Sequence, residues 1–375
     1  MNQRSAIVVG AGIVGLATAR ALSLKNYSVT VIERTEKAVG ASVRNFGMVW
    51  PIGQPDGLLY YRAIRSREIW MDVADSIGLW YDPCGSLHVA HNEDEWQVLQ
   101  ELEQAFKQSG RPVQLMNPDI ILEKYNGINS GGLIGGLYST TETIVDPRQA
   151  IASIPNYLAE YLDVKFIWGK AVTRVETGKV WIGAETLEAD VVFIASGADF
   201  ETLYPEVFKE LSITKCKLQM MRFVSETPNW KMGVALCGGL SLIHYNSFKV
   251  AATLPQLKKR YEAEMEEYLK WGIHVMISQN NNFELTVGDS HEYGLTFDPF
   301  DKTHINALVM QYLEQFAVTT NWQLTQSWHG IYPKMTNGET DVFLQPSDGV
   351  FIINGLGGAG MTLSFGFAEE CIAKI

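Results

Sequence analysis

Apolar residues first form a short unbroken block, Ala6-Ile7-Val8-Val9. They then recur at helical spacing through Ala19 and Leu22, and form a second block in Tyr27-Ser28-Val29-Thr30-Val31-Ile32. A short apolar run bounded by turn residues reads as a buried strand, and a spacing of three and four reads as one face of a helix. The chain therefore opens strand, helix, strand. Asn26 stands where a glycine usually closes such a helix, and asparagine is the next-best residue for a left-handed turn. Helical spacing returns over Leu58 to Ala74 and Leu254 to Leu269. The segments Val164 to Trp168, Ala171 to Glu176, Lys179 to Ile182 and Asp190 to Ala198 read as strands with no long helix between them, a β-meander. Val350 to Asn354 is a further strand, followed by a glycine turn, Gly355 to Gly360, and helical spacing from Met361 through Glu369.

A chain of 375 residues fits two or three structural units. With 46% apolar and 19% charged residues it matches ordinary globular composition, which excludes collagen, coiled coil and disorder. The 30 lysines and arginines stand against 42 acids, and the net charge of −12 is spread along the chain, which argues against a general nucleic-acid or anionic-membrane binder. Cys84, Cys216, Cys237 and Cys371 lie far apart, without zinc-site or disulfide-scaffold spacing, so a reducing, cytoplasmic setting is expected. Two uncharged stretches, Ser5 to Ala19 and Gly349 to Ala368, approach membrane-spanning length. The first is better read as strand, turn and helix than as a signal peptide. The second holds six glycines with Asn354, Thr362 and Ser364. No membrane span is expected.

The first strand runs directly into Gly10-Ala11-Gly12-Ile13-Val14-Gly15, a G-x-G-x-x-G turn opening a helix. In such a turn the first glycine permits the tight bend, the second admits a pyrophosphate to the backbone, and the third lets helix and strand pack closely. The helix N-terminus then faces the phosphates. Glu33, at the end of the second strand, is placed to bind ribose hydroxyls and disfavours a 2′-phosphate, with Arg34 beside it near the adenine. A nicotinamide dehydrogenase would alternate strand and helix after this unit; the meander instead favours FAD. The C-terminal turn offers a second helix N-terminus, suited to the pyrimidine edge of an isoalloxazine ring.

Taken in order, these motifs resemble the FAD-dependent amine oxidoreductases typified by D-amino-acid, glycine and sarcosine oxidases. The resemblance also rests on Gly40 to Met48, Val145-Asp146-Pro147, Ala195-Ser196-Gly197-Ala198 and Trp328-His329-Gly330-Ile331-Tyr332-Pro333. It implies a fold of α/β and α+β class: a Rossmann-like FAD-binding domain of the glutathione-reductase-like type with an antiparallel-sheet substrate domain. The FAD-binding domain would comprise residues 1–80, 141–212 and 326–375, and the substrate domain 81–140 and 213–325. By the same resemblance Gly10, Gly12, Ile13, Val14, Gly15, Glu33 and Arg34 would hold the ADP half, with Val172 against the adenine. Ser42, Arg44, Asn45, Phe46, Gly47 and Met48 would line the flavin. Ala195, Ser196 and Gly197 would lie by the pyrophosphate, and Gly330 among the cofactor-binding residues. Gly358, Ala359, Gly360, Met361 and Thr362 would face the pyrimidine side. Relatives that attach flavin covalently use a cysteine in the region corresponding to Trp328 to Thr336, where this chain has none, so FAD is expected to be non-covalent.

Two departures bear on substrate. Tyr332 stands where glycine and D-amino-acid oxidases carry a carboxylate-binding arginine, and Thr362 where sarcosine oxidases carry a lysine. A narrower resemblance, through Trp271 to Met276, Gly288 to Tyr293 and Gly358 to Gly366, is to the phosphonate-associated subgroup of these oxidoreductases. It implies oxidation of 2-aminoethylphosphonate or its N-methyl form. The donors expected for the anion are Arg44, Tyr332, Lys334 and Thr362, with His244 and Tyr245 as additions. Hydride transfer from an amine to flavin needs little acid–base help, so no catalytic residue is named. His291 and Glu292, adjacent in a strand, point to opposite faces and read as structural; His329 has only its loop position. His88 and His91 are three apart and cannot share a face of an extended segment, so no metal site is expected. The electron acceptor is oxygen or another carrier. The alternatives are a glycine, sarcosine or D-amino-acid oxidase, a flavin dehydrogenase using a quinone or carrier protein, and a non-catalytic binding protein on the same scaffold.

Overall fold

The computed structural model describes residues 3–375. The opening blocks fold as expected: strand Ser5–Val9, helix Ile13–Leu24 and strand Ser28–Glu33, with Asn26 left-handed at φ 63°. These strands lie in a six-stranded sheet in the spatial order Val342–Ser347, Val350–Asn354, Val191–Ile194, Ser5–Val9, Ser28–Glu33, Lys165–Trp168. All pair in parallel except the outermost hairpin, Val342–Ser347 with Val350–Asn354. The first strand is Ser5–Val9, and later strands add on one side of it and then on the other. The reversal places a crevice at the carboxyl ends of Ser5–Val9 and Val191–Ile194, where doubly wound sheets bind ligands. The sheet is buried between helices on one face, including Ile13–Leu24, Leu58–Ile77 and Gly360–Ile372, and a smaller apolar cluster on the other.

The meander differs from the sequence expectation at both ends: Val191–Ile194, expected as its last strand, is a central parallel strand of the large sheet. Lys165–Trp168 is the parallel edge strand beside Ser28–Glu33, and the meander comprises only Arg174–Glu176, Lys179–Ile182 and Glu185–Glu188. The reason is local. Gly169, at φ 68°, turns the chain, and the Gly169 and Lys170 N–H groups donate to Thr35 and Glu33 carbonyls, extending the large sheet's edge before the chain leaves it. The helix expected over Leu254 to Leu269 breaks at Met265 into Leu254–Glu264 and Glu266–Lys270. Leu257 and Tyr261 anchor the first piece, while Glu262 and Glu266, four apart, would repel along one helix face.

A second, antiparallel-rich sheet is ordered Glu292–Gly294, Ile213–Ser225, Glu284–Gly288, Met276–Gln279, Ala235–Cys237, Ser86–Ala90, Gly135–Ser139, Val113–Met116. The long strand Trp322–Met335 pairs with Ile213–Ser225, and this pairing sets one side of the functional crevice. Cys216 lies opposite Tyr332, Thr214 opposite Lys334 and Leu218 opposite Gly330. Side chains on a strand alternate, so residues 330, 332 and 334 share a face. The two sheets are tied together near Phe46, whose carbonyl accepts the Ser278 hydroxyl at 2.7 Å. Among the described residues no helix is long and apolar enough to cross a membrane.

The His88 and His91 rings sit in different surroundings. Its ring is fully buried against Phe248 and Trp50 with no polar partner, whereas His91 Nε2 lies 3.1 Å from the Asn129 carbonyl. Burial pushes the His88 imidazole down to about 3 from an ordinary 6.5. Below pH 6.5 the unfolded chain therefore binds a proton that the folded state excludes, and stability falls with pH through that window. Replacing His88 by leucine should remove about 2 kcal/mol of the stability lost between pH 7 and pH 5, read by urea unfolding at both pH values. An unchanged loss would show that His88 is not held neutral.

Candidate active site

Three turns meet at the carboxyl ends of the parallel strands. Gly10 follows Val9 at φ 105°, and a Cβ there would lie 2.5 Å from the Ala195 carbonyl oxygen. A Cβ on Gly15 would lie 1.9 Å from the Gly10 carbonyl oxygen, so helix and turn touch backbone to backbone. The third turn is laced to the second by Asn354, whose amide donates to the Gly197 carbonyl at 3.0 Å and whose oxygen accepts the Gly355 N–H at 2.8 Å. Glu33 closes the first unit: its carboxylate accepts the Ala11 N–H at 2.9 Å and the Thr35 hydroxyl at 2.8 Å.

Two helices begin at these turns, Ile13–Leu24 and Gly360–Ile372. Neither has a side chain of its own cap residue or an acid in its first turn. By contrast, helices Glu93–Gln108 and Pro147–Leu162 are capped by Asn92 and Asp146. First-turn N–H groups have no partner within a helix, so an uncapped start facing a cavity is an anion-binding feature. One cavity of about 390 Å³ reaches both starts, lined by Gly12, Ile13 and Val14 at one end and Gly358 to Thr362 at the other.

The loop carrying Ser42 to Met48 forms the wall between them. Ser42 Oγ accepts the Ile13 N–H at 2.9 Å. Asn45 braces the loop, donating to the Ala41 and Ser42 carbonyls at 3.0 Å and accepting the Gly47 N–H at 2.7 Å. Gly47 is required there: at φ 74°, its Cβ would fall 1.9 Å from the Val145 carbonyl oxygen. Arg44 donates to the His329 carbonyl at 3.2 Å, and the Trp328 indole donates to the Arg44 carbonyl at 3.3 Å, which fastens the loop to strand Trp322–Met335.

Of the residues singled out from sequence, Gly12, Ile13, Val14, Ser42, Arg44, Asn45, Phe46 and Met48 line the cavity. So do Ala195, Gly197, Gly330, Gly358, Ala359, Gly360, Met361 and Thr362, together with His244, Tyr245, Tyr332 and Lys334. Gly10, Gly15 and Gly47 shape the turns behind it. Arg34 pairs with Asp199 at 2.8 Å, Ser196 donates to the Asp199 carbonyl at 2.9 Å, and Val172 is buried among Ile7, Ile32 and Val180. Thr362 turns its hydroxyl oxygen to the backbone, accepting the Trp50 N–H at 3.0 Å in a buried position.

The histidines are where sequence reasoning fell short. His244, expected at the site, is open to the cavity, but His291, expected to be structural, lines it as well. His274, which the sequence reading passed over, completes a group whose ring nitrogens lie within 4.8 Å of one another. His274 and Asp289 exchange both backbone hydrogen bonds, which brings His274 Nε2 within 3.2 Å of Asp289 Oδ1, though off line for a hydrogen bond. The His291 N–H donates to the Trp271 carbonyl at 2.7 Å, and the ring is held by the Gly272 carbonyl. Asp289 and His291, polar residues two apart between the strands Glu284–Gly288 and Glu292–Gly294, were the available signal. His329, on the opposite face from Tyr332, pairs with Asp301 at 2.8 Å, and Glu292 pairs with Lys302 away from the cavity.

This end of the cavity disfavours charge. Although His244 has accessible surface, that surface faces the cavity, and the surrounding protein keeps the ring in a low-dielectric setting. Burial, with neighbouring His291 and Lys334 adding repulsion, pushes His244 well below the ordinary imidazole range. Burial does the same to His274 and brings His291 down to about 4. It also pushes the Asp289 carboxyl and the Tyr245 and Tyr332 phenols well up. Among the described residues, Lys334 has no carboxylate partner and Arg44 only a carbonyl one. A neutral lining beside two available cations suits a small anion whose other end must be uncharged to react.

Residues at both helix starts fit a dinucleotide cofactor: close-approach glycines, helix starts without caps of their own and a carboxylate at the ribose position converge on one crevice. This is the arrangement of a flavin-type dinucleotide oxidoreductase. The family model described as FAD dependent oxidoreductase matches residues 5–374, and the chain belongs to that family; its cofactor is FAD. Glycine oxidase from Geobacillus kaustophilus superposes with a TM-score of 0.78 at 19% identity, covering 99% of this chain and 94% of that one. Iminodiacetate oxidase from Chelativorans sp. BNC1 superposes at 0.75 and 17% identity, with the same coverage of both chains. At these identities the likeness concerns the fold. In sequence, the chain is 32% identical to the mitochondrial L-2-hydroxyglutarate dehydrogenase of Pongo abelii over 49% of its own length and 43% of that protein's. It is 25% identical to the MnmC bifunctional protein of tRNA 5-methylaminomethyl-2-thiouridine biosynthesis from Chromobacterium violaceum, over 63% of its length. The match spans only about a third of that relative, 36%.

Replacing Thr362 by valine leaves the Trp50 N–H buried without an acceptor, which should destabilise the fold by about 1–3 kcal/mol and lower Tm by several degrees. A variant with unchanged Tm and only weakened substrate binding would place the Thr362 hydroxyl toward ligand instead.

Proposed function

We propose that this FAD-dependent oxidoreductase oxidises the C–N bond of a small anionic amine, with 2-aminoethylphosphonate or its N-methyl form as the favoured substrate. The observation that carries the reading is the pairing of Arg44 and Lys334 with a ring of neutral histidines and tyrosines on one cavity wall. Oxidation of glycine and of iminodiacetate, both small anionic amines, is what the names of the structurally similar glycine and iminodiacetate oxidases describe for those proteins.

FAD, when bound, supplies the acceptor for a hydride leaving the carbon that bears nitrogen. The chain's own residues do the rest. The turn Gly10 to Gly15 and Glu33 would hold the adenosine diphosphate half. Ser42 to Met48 would line the middle, and Gly358 to Met361 would turn helix N–H groups toward the pyrimidine edge. Tyr332 stands beside that turn, its hydroxyl 3.5 Å from the place a Cβ on Gly358 would take. Arg44 and Lys334 bind and orient the anion. The apolar lining of Phe46, Met48, Trp50, Leu218 and Met220 favours the neutral amine over ammonium, which leaves the nitrogen lone pair free to drive hydride departure, and the resulting imine hydrolyses in water. The cysteine-free segment Trp328 to Thr336 supports non-covalent FAD, and residues 81–140 and 213–325 are proposed as the substrate domain.

A second reading has one observation in its favour. An alcohol, unlike an amine, must lose its hydroxyl proton as hydride leaves, and His274 beside Asp289 offers an acceptor for it. That reading corresponds to a 2-hydroxy acid substrate, as the name of the L-2-hydroxyglutarate dehydrogenase relatives describes for them.

Anaerobic mixing separates these readings. 2-Aminoethylphosphonate and its N-methyl form should bleach the visible flavin band, with glycine, sarcosine and L-2-hydroxyglutarate far slower. Bleaching by the hydroxy acid alone would establish the second reading, and bleaching by the carboxylate amines alone would overturn the phosphonate assignment. Readmitting air and assaying peroxide then distinguishes an oxidase from a dehydrogenase.

A further inference from the structure

The histidine group has a directionality that the amine reading does not use. His291 Nδ1 lies 2.9 Å from the Gly272 carbonyl oxygen. A carbonyl only accepts, so the ring hydrogen sits on Nδ1, and in the neutral ring Nε2 carries a bare lone pair. Such a lone pair repels an oxyanion, while a proton placed on it converts it into a charged donor. His274 is nine-tenths buried, and its Nδ1 has no partner. The rings are layered: His244 and His274 have centroids 3.7 Å apart at 33°, and His274 and His291 5.2 Å apart at 18°. Near-parallel rings do not aim three in-plane lone pairs at the corners of a tetrahedral metal site, but they do surround one added charge with polarisable faces.

We infer that His244, His274 and His291 form a subsite for the substrate's anionic head, in which His291 takes up a proton from solvent when a doubly charged tetrahedral oxyanion binds. The inference rests on the reading of the cavity as a site for a small anionic molecule. It adds that the site distinguishes two negative charges from one. The groups facing the rings set that preference. Lys334, on strand Trp322–Met335, repels the added proton while the site is empty, as does burial. Tyr332 on the same strand, Tyr245 beside His244, and Tyr293, 6.3 Å from the His291 ring, are held neutral. Asp289 lies against His274, and Arg44 lines the same cavity without being among the charges that act on the rings. Lys334, the cation that acts on all three rings, matches a singly charged head. A second charge attracts the proton to His291 Nε2, where the new N–H meets an oxygen. The proton comes from water, no bond to carbon changes, and no metal is needed.

The test uses the FAD-loaded protein with sulfate, which keeps two charges across the working range, and methanesulfonate, which has a similar shape and one charge. Calorimetry in two buffers of different ionisation heat should give uptake of about one proton per sulfate and none for methanesulfonate. Sulfate affinity should fall about tenfold per pH unit between about pH 6 and pH 8. His291→Gln presents an amide N–H that needs no proton. It should bind sulfate with the uptake and the pH slope abolished, its flavin spectrum reporting an intact fold. Failure of sulfate to bind, binding without proton uptake, uptake that persists in H291Q, or a stoichiometric divalent metal in the purified protein would each overturn the inference. Flavin bleaching by 2-aminoethylphosphonate is a separate readout: its loss would remove the amine assignment while sulfate-linked proton uptake could still stand.

Discussion

The architecture depends on two helix starts that have no side-chain cap of their own and open onto one crevice. A helix start without a cap carries partial positive charge that burial alone leaves uncompensated, and here the crevice lies between two sheets rather than at the surface. Holding those starts within reach of one ligand requires that three turns touch. Gly10 and Gly15 do so because no Cβ intervenes, and Asn354 does so by bridging Gly197 and Gly355. The parallel sheet supplies the direction, since all three turns leave the carboxyl ends of adjacent strands.

The second sheet supplies chemistry to that frame. One long strand presents Gly330, Tyr332 and Lys334 on one face, so a single backbone register provides space for the cofactor, a phenol beside the C-terminal turn, and a cation. The loop with Arg44 is fastened to the same strand through His329 and Trp328, which couples the flavin wall to the substrate wall. Displacement of that strand would therefore disturb both sites together, as expected when cofactor and substrate must meet at bonding distance.

Local sequence was enough to read the first dinucleotide unit, the C-terminal turn and the helix that follows it, because each is built from neighbours in the chain. Gly10 to Gly15 and Gly355 to Gly360 announce sharp turns between an apolar strand and a helix whatever the rest of the chain does. Lys165–Trp168 was misassigned because membership of a sheet edge depends on Glu33 and Thr35, far away in sequence. The grouping of His244 with His274 and His291 escaped the sequence for the same reason. His244 ends a short 3-10 turn, His274 precedes one strand and His291 precedes another; backbone pairing of His274 with Asp289 joins the last two, and only the fold brings His244 to them. Thr362 was read as a ligand donor from its position in a motif; its partner, the Trp50 N–H, lies 312 residues away and could be found only in the fold.

The central claim is that one FAD molecule spans the cavity with its pyrophosphate at the Gly10 to Gly15 turn and its ring system at the Gly358 to Thr362 turn. A crystal structure of the FAD-loaded protein tests it most directly. The account predicts isoalloxazine density against Gly358 to Thr362, with the ring face opposite His244, His274 and Tyr332. Density placing the ring system elsewhere, with the C-terminal turn packed on protein atoms alone, would contradict it.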